Sequence, residues 1–303
     1  MSRQKTIKAS YSFYGKGLHT GVLSHITLHP ADVNTGIRFV RTDLGPDCFI
    51  EAKASNVGQA QRCSCLQVGE ARVMTMEHLL STLWGLGVDN AIVEIDSQEV
   101  PILDGSARPY AQAILADGLK EQEAARKEFR ITESIELSDP ASGASMKIVP
   151  ADEFSIDLTV DFGSKVMGVQ KASFNPRTDY AKQIAPCRTF VFYHEIEMLF
   201  KNGLIKGGDL DNAIVIVEKP VPQADIDALA ALIGKSGLPA NFSGYLSHSP
   251  LFFPNECARH KLLDIMGDLS LCGAHFCGKI TGYKTGHSLN LKMARLLQEK
   301  IQS

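Results

Sequence analysis

The run RHKLLDIMGD, residues 259 to 268, carries an imidazole and two carboxylates at four-residue spacing: His260, Asp264 and Asp268. On an α-helix these three fall within about 80° of one another, one above the next. Leu262, Leu263, Ile265 and Met266 take roughly the opposite arc. The wheel taken alone favours a solvent-facing stripe. Yet solvent faces are usually built from Lys, Glu and Arg, good helix formers, whereas His, Asp and Asp beside Gly267 are poor ones. His260 and Asp264 can instead offer two metal ligands from a single face. A catalytic zinc site takes three protein ligands and keeps one position open, so a third must come from elsewhere. The run EHLLSTLWGL (77–86) echoes RHKLLDIMGDL (259–269), each with a His seven residues before a Gly, and this nominates His78. Two imidazoles and one carboxylate leave positive charge on the metal, which acidifies water there. Glu77 points about 100° away from His78, so it suits a general base better than a fourth ligand. Asp268 lies about 6 Å along the axis from Asp264, too far to share the coordination shell but placed to brace an imidazole. His287, in the Gly-containing loop KTGHSLN, is the candidate; as a cation it could stabilise an oxyanion or protonate a leaving amine.

Other residues read more simply. Cys63-x-Cys65 lacks a second pair and reads as two cysteines on one face of a strand. His25 and His29 alternate with Ile26 and Leu28 and read as the wet side of a half-buried strand. No P-loop, GxSxG or HExxH is present.

The 303 residues leave room for two domains to hold these groups. With 31 basic against 34 acidic residues and no basic block, nucleic acid is a poor partner. The N-terminus lacks the apolar run of a secretory signal, and no apolar stretch is long enough to span a membrane. Seven cysteines, an odd number without CxxC pairs, suit a reducing cytoplasm. The first third predicts strands in SHITLHP, GIRFVRTDL and FIEAKASNV, then a helix over 75–84, a strand over 90–96 and a helix following PILDGS. The charged stretch 120–129 has no core-forming run and marks a boundary, giving domains 1–124 and 125–303. The second predicts strands at 146–150, 154–160 and 171–174, a helix at 193–202, and a strand at 212–218. It continues with a Pro-rich surface insertion at 219–256 containing a helical run at 225–233, the helix of 259–268, a strand at 279–284 and a closing helix. VDNAIVEID (88–96) also echoes LDNAIVIVE (210–218), although the two echoes do not share one offset. Duplication would give two similar α+β units whose paired helices aim histidines into one cleft.

The ordered segments GKGLHTG (15–21), TDLG (42–45), TMEHLLSTLWGLGVDNAIVEID (75–96), VPILDGSARPY (100–110), CRTFVF (187–192), NGLIKGGDLDNAIV (202–215), RHKLLDIMGDL (259–269) and GYKTGHSLN (282–290) span essentially the whole chain. Together they resemble the zinc-dependent UDP-3-O-acyl-N-acetylglucosamine deacetylases of lipid A synthesis. The resemblance implies an α+β fold of two similar domains, each a β-sheet layer with helices, the helices of both sandwiched between the sheets. It implies one Zn²⁺ on His78, His260 and Asp264, Glu77 as general base, and His287 supported by Asp268 at the oxyanion or leaving amine. Thr189 would stabilise the oxyanion, Lys261 would contact substrate phosphates, Phe190 would line the substrate site, and His19 would bind substrate or brace the fold. The implied reaction is hydrolysis of the acetamide of a UDP-sugar bearing a 3-O-hydroxyacyl chain, which an apolar channel built partly from 190–205 would accept. Two departures stand out: 219–256 is longer and richer in Pro than usual, and RCSCL (62–66) replaces a segment often carrying Ser and Thr, so fewer polar contacts are expected there. Some members are fused to an acyl-carrier-protein dehydratase, and the ending Ile301-Gln302-Ser303 is compatible with half of such a fusion. A different class, a non-catalytic nucleotide-sugar or lipid-sugar binding module, would need neither Glu77 nor His287. A zinc peptidase would share the metal but lacks HExxH.

Overall fold

Leu23–Pro30 alternates as a half-buried strand should, with Ser24, Ile26 and Leu28 buried. In the computed structural model, which describes residues 2–45, 47–232 and 242–303, it joins a five-stranded sheet. The sheet order is Tyr11–Lys16, Leu23–Pro30, Ala91–Ile95, Ile37–Arg41, Phe49–Glu51. A second sheet runs Ile135–Asp139, Ala144–Val149, His275–Tyr283, Phe154–Val160, Gln170–Phe174, with Glu128–Arg130 added on His275–Tyr283. A third, three-stranded sheet orders Phe190–Phe192, Ile214–Val217, Gly244–Leu246. Seven α-helices occur among the described residues: α1 (Glu77–Leu86), α2 (Arg108–Asp117), α3 (Tyr180–Gln183), α4 (Tyr193–Lys201), α5 (Gln223–Leu232), α6 (Glu256–Ser270) and α7 (His287–Gln302). The architecture is α+β, as the sequence implies. Among the described residues, each strand up to Ala125 pairs only with strands up to Ala125, and each from Glu128 onward only with strands from Glu128 onward.

Three expectations need correction. The charged stretch 120–129 is not a bare connector. Leu119–Ala125 pairs antiparallel with Arg3–Ile7, and Glu128–Arg130 pairs parallel with His275–Cys277. Main-chain hydrogen bonding needs no apolar side chain, so composition hid these strands. The segment 219–256 is not simply a surface insertion. Val221, Ile226, Leu229 and Leu246 pack with Ile196, Leu210, Val215 and Val217 in a second apolar cluster, and Gly244–Leu246 completes the third sheet; its residues 233–241 lie outside the described ones. The four-spaced stripe of α6 is not a solvent face: His260 is 3% exposed, Asp264 2% and Asp268 0%. The helix is buried all round because α1 and α7 pack on it as well as two strands of the second sheet. Gly267 permits the α1 contact: a Cβ there would stand 2.2 Å from the carbonyl oxygen of Glu77.

Candidate metal centre and cleft

α1 and α6 bring His78, His260 and Asp264 together, with one donor atom from each within 4.8 Å of the others; among the described residues no other such group of three occurs. The imidazole rings of His78 and His260 meet edge to face, centroids 4.9 Å apart. His260 Nδ1 donates to the carbonyl oxygen of Cys187 at 3.0 Å, which leaves Nε2 with its lone pair, 3.6 Å from Asp264 Oδ1. Burial, then the neighbouring His260, holds the pKa of His78 down at about 3, and burial lowers that of His260. Both imidazoles are therefore neutral, the form that binds a metal. Burial alone would raise the pKa of Asp264, but the Lys261 ammonium, with the His287 cation, brings it below the usual carboxylate range. Asp264 Oδ2 accepts from Lys261 Nζ at 2.8 Å, while Oδ1, buried, has no hydrogen-bond partner among the described residues. Two neutral nitrogens and an anionic oxygen left unsatisfied fit a divalent cation.

Around this set stand the proton-handling groups. His287 is not in a loop; it is the first residue of α7, capped by Gly286. Its Nδ1 lies 2.9 Å from Asp268 Oδ2, and its Nε2 lies 3.7 Å from Glu77 Oε1. Burial and the helix N-terminus both disfavour a cation there, yet the carboxylates of Asp268, Asp264 and Glu77 outweigh them and raise its pKa to about 9. Glu77 is 3% exposed, and burial pushes its pKa to about 8. These groups line one cleft of about 1440 Å³ together with His19, Thr189, Phe190 and Lys261; Asp268, fully buried, stands behind His287. One wall is apolar, built by Phe192, Ile196, Leu199, Leu204, Leu210 and Val215, and so extends beyond 190–205. Lys284, just before α7, and Lys292 and Arg295, from its first half and middle, also line the cleft. Phe190 packs edge to face towards His260 at 6.4 Å. His19 is buried, and neither ring nitrogen has a partner among the described residues.

Sequence reasoning missed several contributors. The expectation of fewer polar contacts from RCSCL is overturned by Ser64, whose hydroxyl donates to Asp268 and lies 3.2 Å from His287 Nδ1, and whose N–H donates to Glu77 at 3.3 Å. Cys63 and Cys65 do not share a strand face: the strand begins at Cys65, and both thiols pack with Met74. Asn290 donates to Asp268 Oδ2 at 2.9 Å. Its spacing of three from His287 on one helix is a readable signal, since such positions share a face.

The family model for UDP-3-O-acyl N-acetylglycosamine deacetylase matches residues 4–226 and 238–299. The chain belongs to this family. It is 45% identical over 302 residues to the bifunctional enzyme LpxC/FabZ of Porphyromonas gingivalis and 42% identical to that of Bacteroides thetaiotaomicron, the whole chain aligning in both. It spans 65% of the former's length and 66% of the latter's. It is 39% identical to the UDP-3-O-acyl-N-acetylglucosamine deacetylase of Pseudomonas entomophila, covering 98% of this chain and 90% of that protein.

Proposed function

We propose that the chain is a zinc-dependent amidohydrolase that removes the acetyl group of UDP-3-O-(hydroxyacyl)-N-acetylglucosamine as acetate, leaving the free amine, a step of lipid A synthesis. The observation that carries this reading is the convergence, in one cleft, of the His78–His260–Asp264 set, with Asp264 Oδ1 left without a partner among the described residues, and of Glu77 and His287. His78, His260 and Asp264 would hold the zinc. When bound, zinc supplies Lewis acidity, polarising the amide carbonyl, making water more acidic and favouring the ionised form of Glu77. Glu77 takes the proton of the attacking water; burial has already moved its affinity for protons towards neutral pH, where a general base works best. His287, its Nδ1 held by Asp268, keeps Nε2 directed at the Glu77 side of the cleft and delivers a proton to the departing amine. The Thr189 hydroxyl and the His287 cation stabilise the oxyanion. Phe190 contacts the substrate, as does His19, whose ring nitrogens have no partner among the described residues, and Lys261 reaches towards its phosphates in the cleft that Lys284 and Lys292 also line. The apolar wall receives the acyl chain.

The strand pairing, which changes partners between Ala125 and Glu128, supports two domains meeting close to the proposed boundary of 1–124 and 125–303. The seven free cysteines support a cytoplasmic location; among the described residues no helix is long and apolar enough to cross a membrane. The bifunctional names of the relatives support a natural pairing with an acyl-carrier-protein dehydratase. The test is acetate release from the UDP-sugar substrate by zinc-loaded protein, with and without chelator. Glu77→Ala should keep substrate binding and lose hydrolysis. Absence of bound metal after zinc loading would refute the proposal, and substrate binding with no turnover by the zinc-loaded wild type would favour a non-catalytic binding module.

A further inference from the structure

Arg188 lies between Cys187, whose carbonyl receives His260 Nδ1, and Thr189, yet neither it nor Glu256 lines the cleft. Its side chain is 4% exposed and that of Glu256 0%. Each guanidinium N–H is used: Nε donates to Glu256 Oε1 at 2.9 Å, Nη1 to the Ser249 hydroxyl and carbonyl at 2.8 and 3.2 Å, and Nη2 to the Pro250 carbonyl and Glu256 Oε2 at 2.9 and 3.2 Å. The Arg188 backbone N–H also donates to Glu256 Oε1 at 3.0 Å, and Glu256 Oε2 accepts from the N–H of Phe252 at 2.7 Å. Glu256 opens α6 and stands one turn before His260. The pair therefore ties the CRTF segment to the helix that carries two candidate ligands. Buried ion pairs contribute little net stability compared with apolar replacements of similar volume. A fully satisfied pair in this position has a stronger effect on registry: it fixes where the Cys187 carbonyl sits relative to the His260 ring.

We propose that Arg188 and Glu256 are positioning residues that orient His260 by holding the Cys187 carbonyl against its Nδ1, and that hold Thr189 in line beside it. The inference rests on the metal reading above. Hydrogen-bond partners of a ligand histidine typically change metal affinity by about 10–100-fold when lost, and a displaced carbonyl acts in the same way.

The test compares zinc dissociation constants, from chelator competition, and the visible absorption of the cobalt-substituted protein. The first variant is the double replacement Arg188→Met with Glu256→Leu, which leaves no buried charge unpaired. The metal-free variant should melt below the wild type, because the N–H groups of Arg188 and Phe252 and the carbonyls of Ser249 and Pro250 lose their partners, bind zinc roughly 10–100-fold more weakly and show a changed cobalt spectrum. Arg188→Lys, which keeps the charge and loses the fork, is the second variant should the first fail to fold; it should weaken zinc binding with the fold intact. Ile114→Ala, in the α2 core, should lower the melting temperature without moving zinc affinity. Wild-type zinc affinity in the folded pair variants, or an equal loss of affinity in Ile114→Ala, would overturn the proposal while leaving the metal reading standing. A wild type that binds no zinc would remove both.

Discussion

Gly267→Ala sets two physical effects against each other. Alanine is the better helix former by about 1 kcal/mol, and Gly267 lies within α6, so helix propensity alone predicts a more stable protein. The packing predicts the opposite. A Cβ at 267 would stand 2.2 Å from the Glu77 carbonyl oxygen, 2.9 Å from its carbonyl carbon and 3.1 Å from its Cα. These are backbone atoms at the start of α1 and cannot rotate away. Reaching ordinary contact requires α1 and α6 to separate by about 1 Å, and close-packed interiors resist that. Overpacking of this kind costs typically 1–3 kcal/mol; against a rigid carbonyl the upper part of the range applies, leaving a net loss of about 2 kcal/mol. The same shift moves Glu77 and His78 away from His260 and Asp264, so zinc affinity falls too, and an active-site displacement near 1 Å can lower the rate about 10²-fold. Urea unfolding of the metal-free protein, chelator competition for zinc and acetate release measure the three effects. A variant as stable as the wild type or more so, with unchanged zinc affinity, would refute the argument that Gly267 exists for the α1 contact.

Further predictions follow from the cleft. In metal-free protein, Glu77 is raised from 4.5 to about 8 and His287 from 6.5 to about 9, so the native state holds more protons than the unfolded chain. Their stabilisation is full below the unfolded pKa values and is lost as pH rises through the folded ones. Melting temperature in chelator should therefore fall between pH 6.5 and 9, and Glu77→Gln or His287→Gln should flatten that slope. Ser64→Ala removes the hydroxyl that touches Asp268 and His287 and should cost about 1 kcal/mol, read as a 5- to 10-fold lower turnover with zinc content unchanged. Val215→Phe should fill part of the apolar wall. At about 0.8 kcal/mol per buried methylene, exclusion of some three methylenes lowers kcat/KM for a long acyl chain by roughly 50-fold while sparing short ones, as a chain-length series would show.

Some of this was legible because it was local. Helix periodicity located α1 and α6, and the four-residue spacing put His260 and Asp264 on one side. What one helix cannot report is its neighbours. The wheel of α6 pointed to solvent because it knows only its own residues, whereas α1, α7 and the second sheet close over the helix. Ser64 was hidden for the same reason: it lies 204 residues from Asp268 and 223 from His287 in sequence. The Arg188–Glu256 pair spans 68 residues, and no local pattern distinguishes it from two exposed charges. The strand Leu119–Ala125 failed differently. Its residues are half-buried or exposed, so hydrophobic patterning had nothing to detect; the backbone pairing with Arg3–Ile7 makes it a strand.

The His-to-Gly echo between α1 and α6 has a physical meaning that is not simple duplication. Seven residues are nearly two full helical turns, so in each helix the histidine and the glycine lie on the same face. In α6 that glycine receives the backbone of α1 at Glu77. The small residue that lets the helices touch and the imidazole aimed at the shared cleft must then share one side of α6. In α1 the corresponding Gly85 receives something else: a Cβ there would meet the ring of Tyr180 at 2.5 Å. Tyr180 in turn bonds the hydroxyl of Ser81 at 3.0 Å, within α1 itself. The sequence spacing is alike, but one glycine admits a helix and the other an aromatic ring. The contact that assembles the candidate metal centre is therefore asymmetric, and Gly267 is the glycine on which the relative placement of the candidate ligands depends.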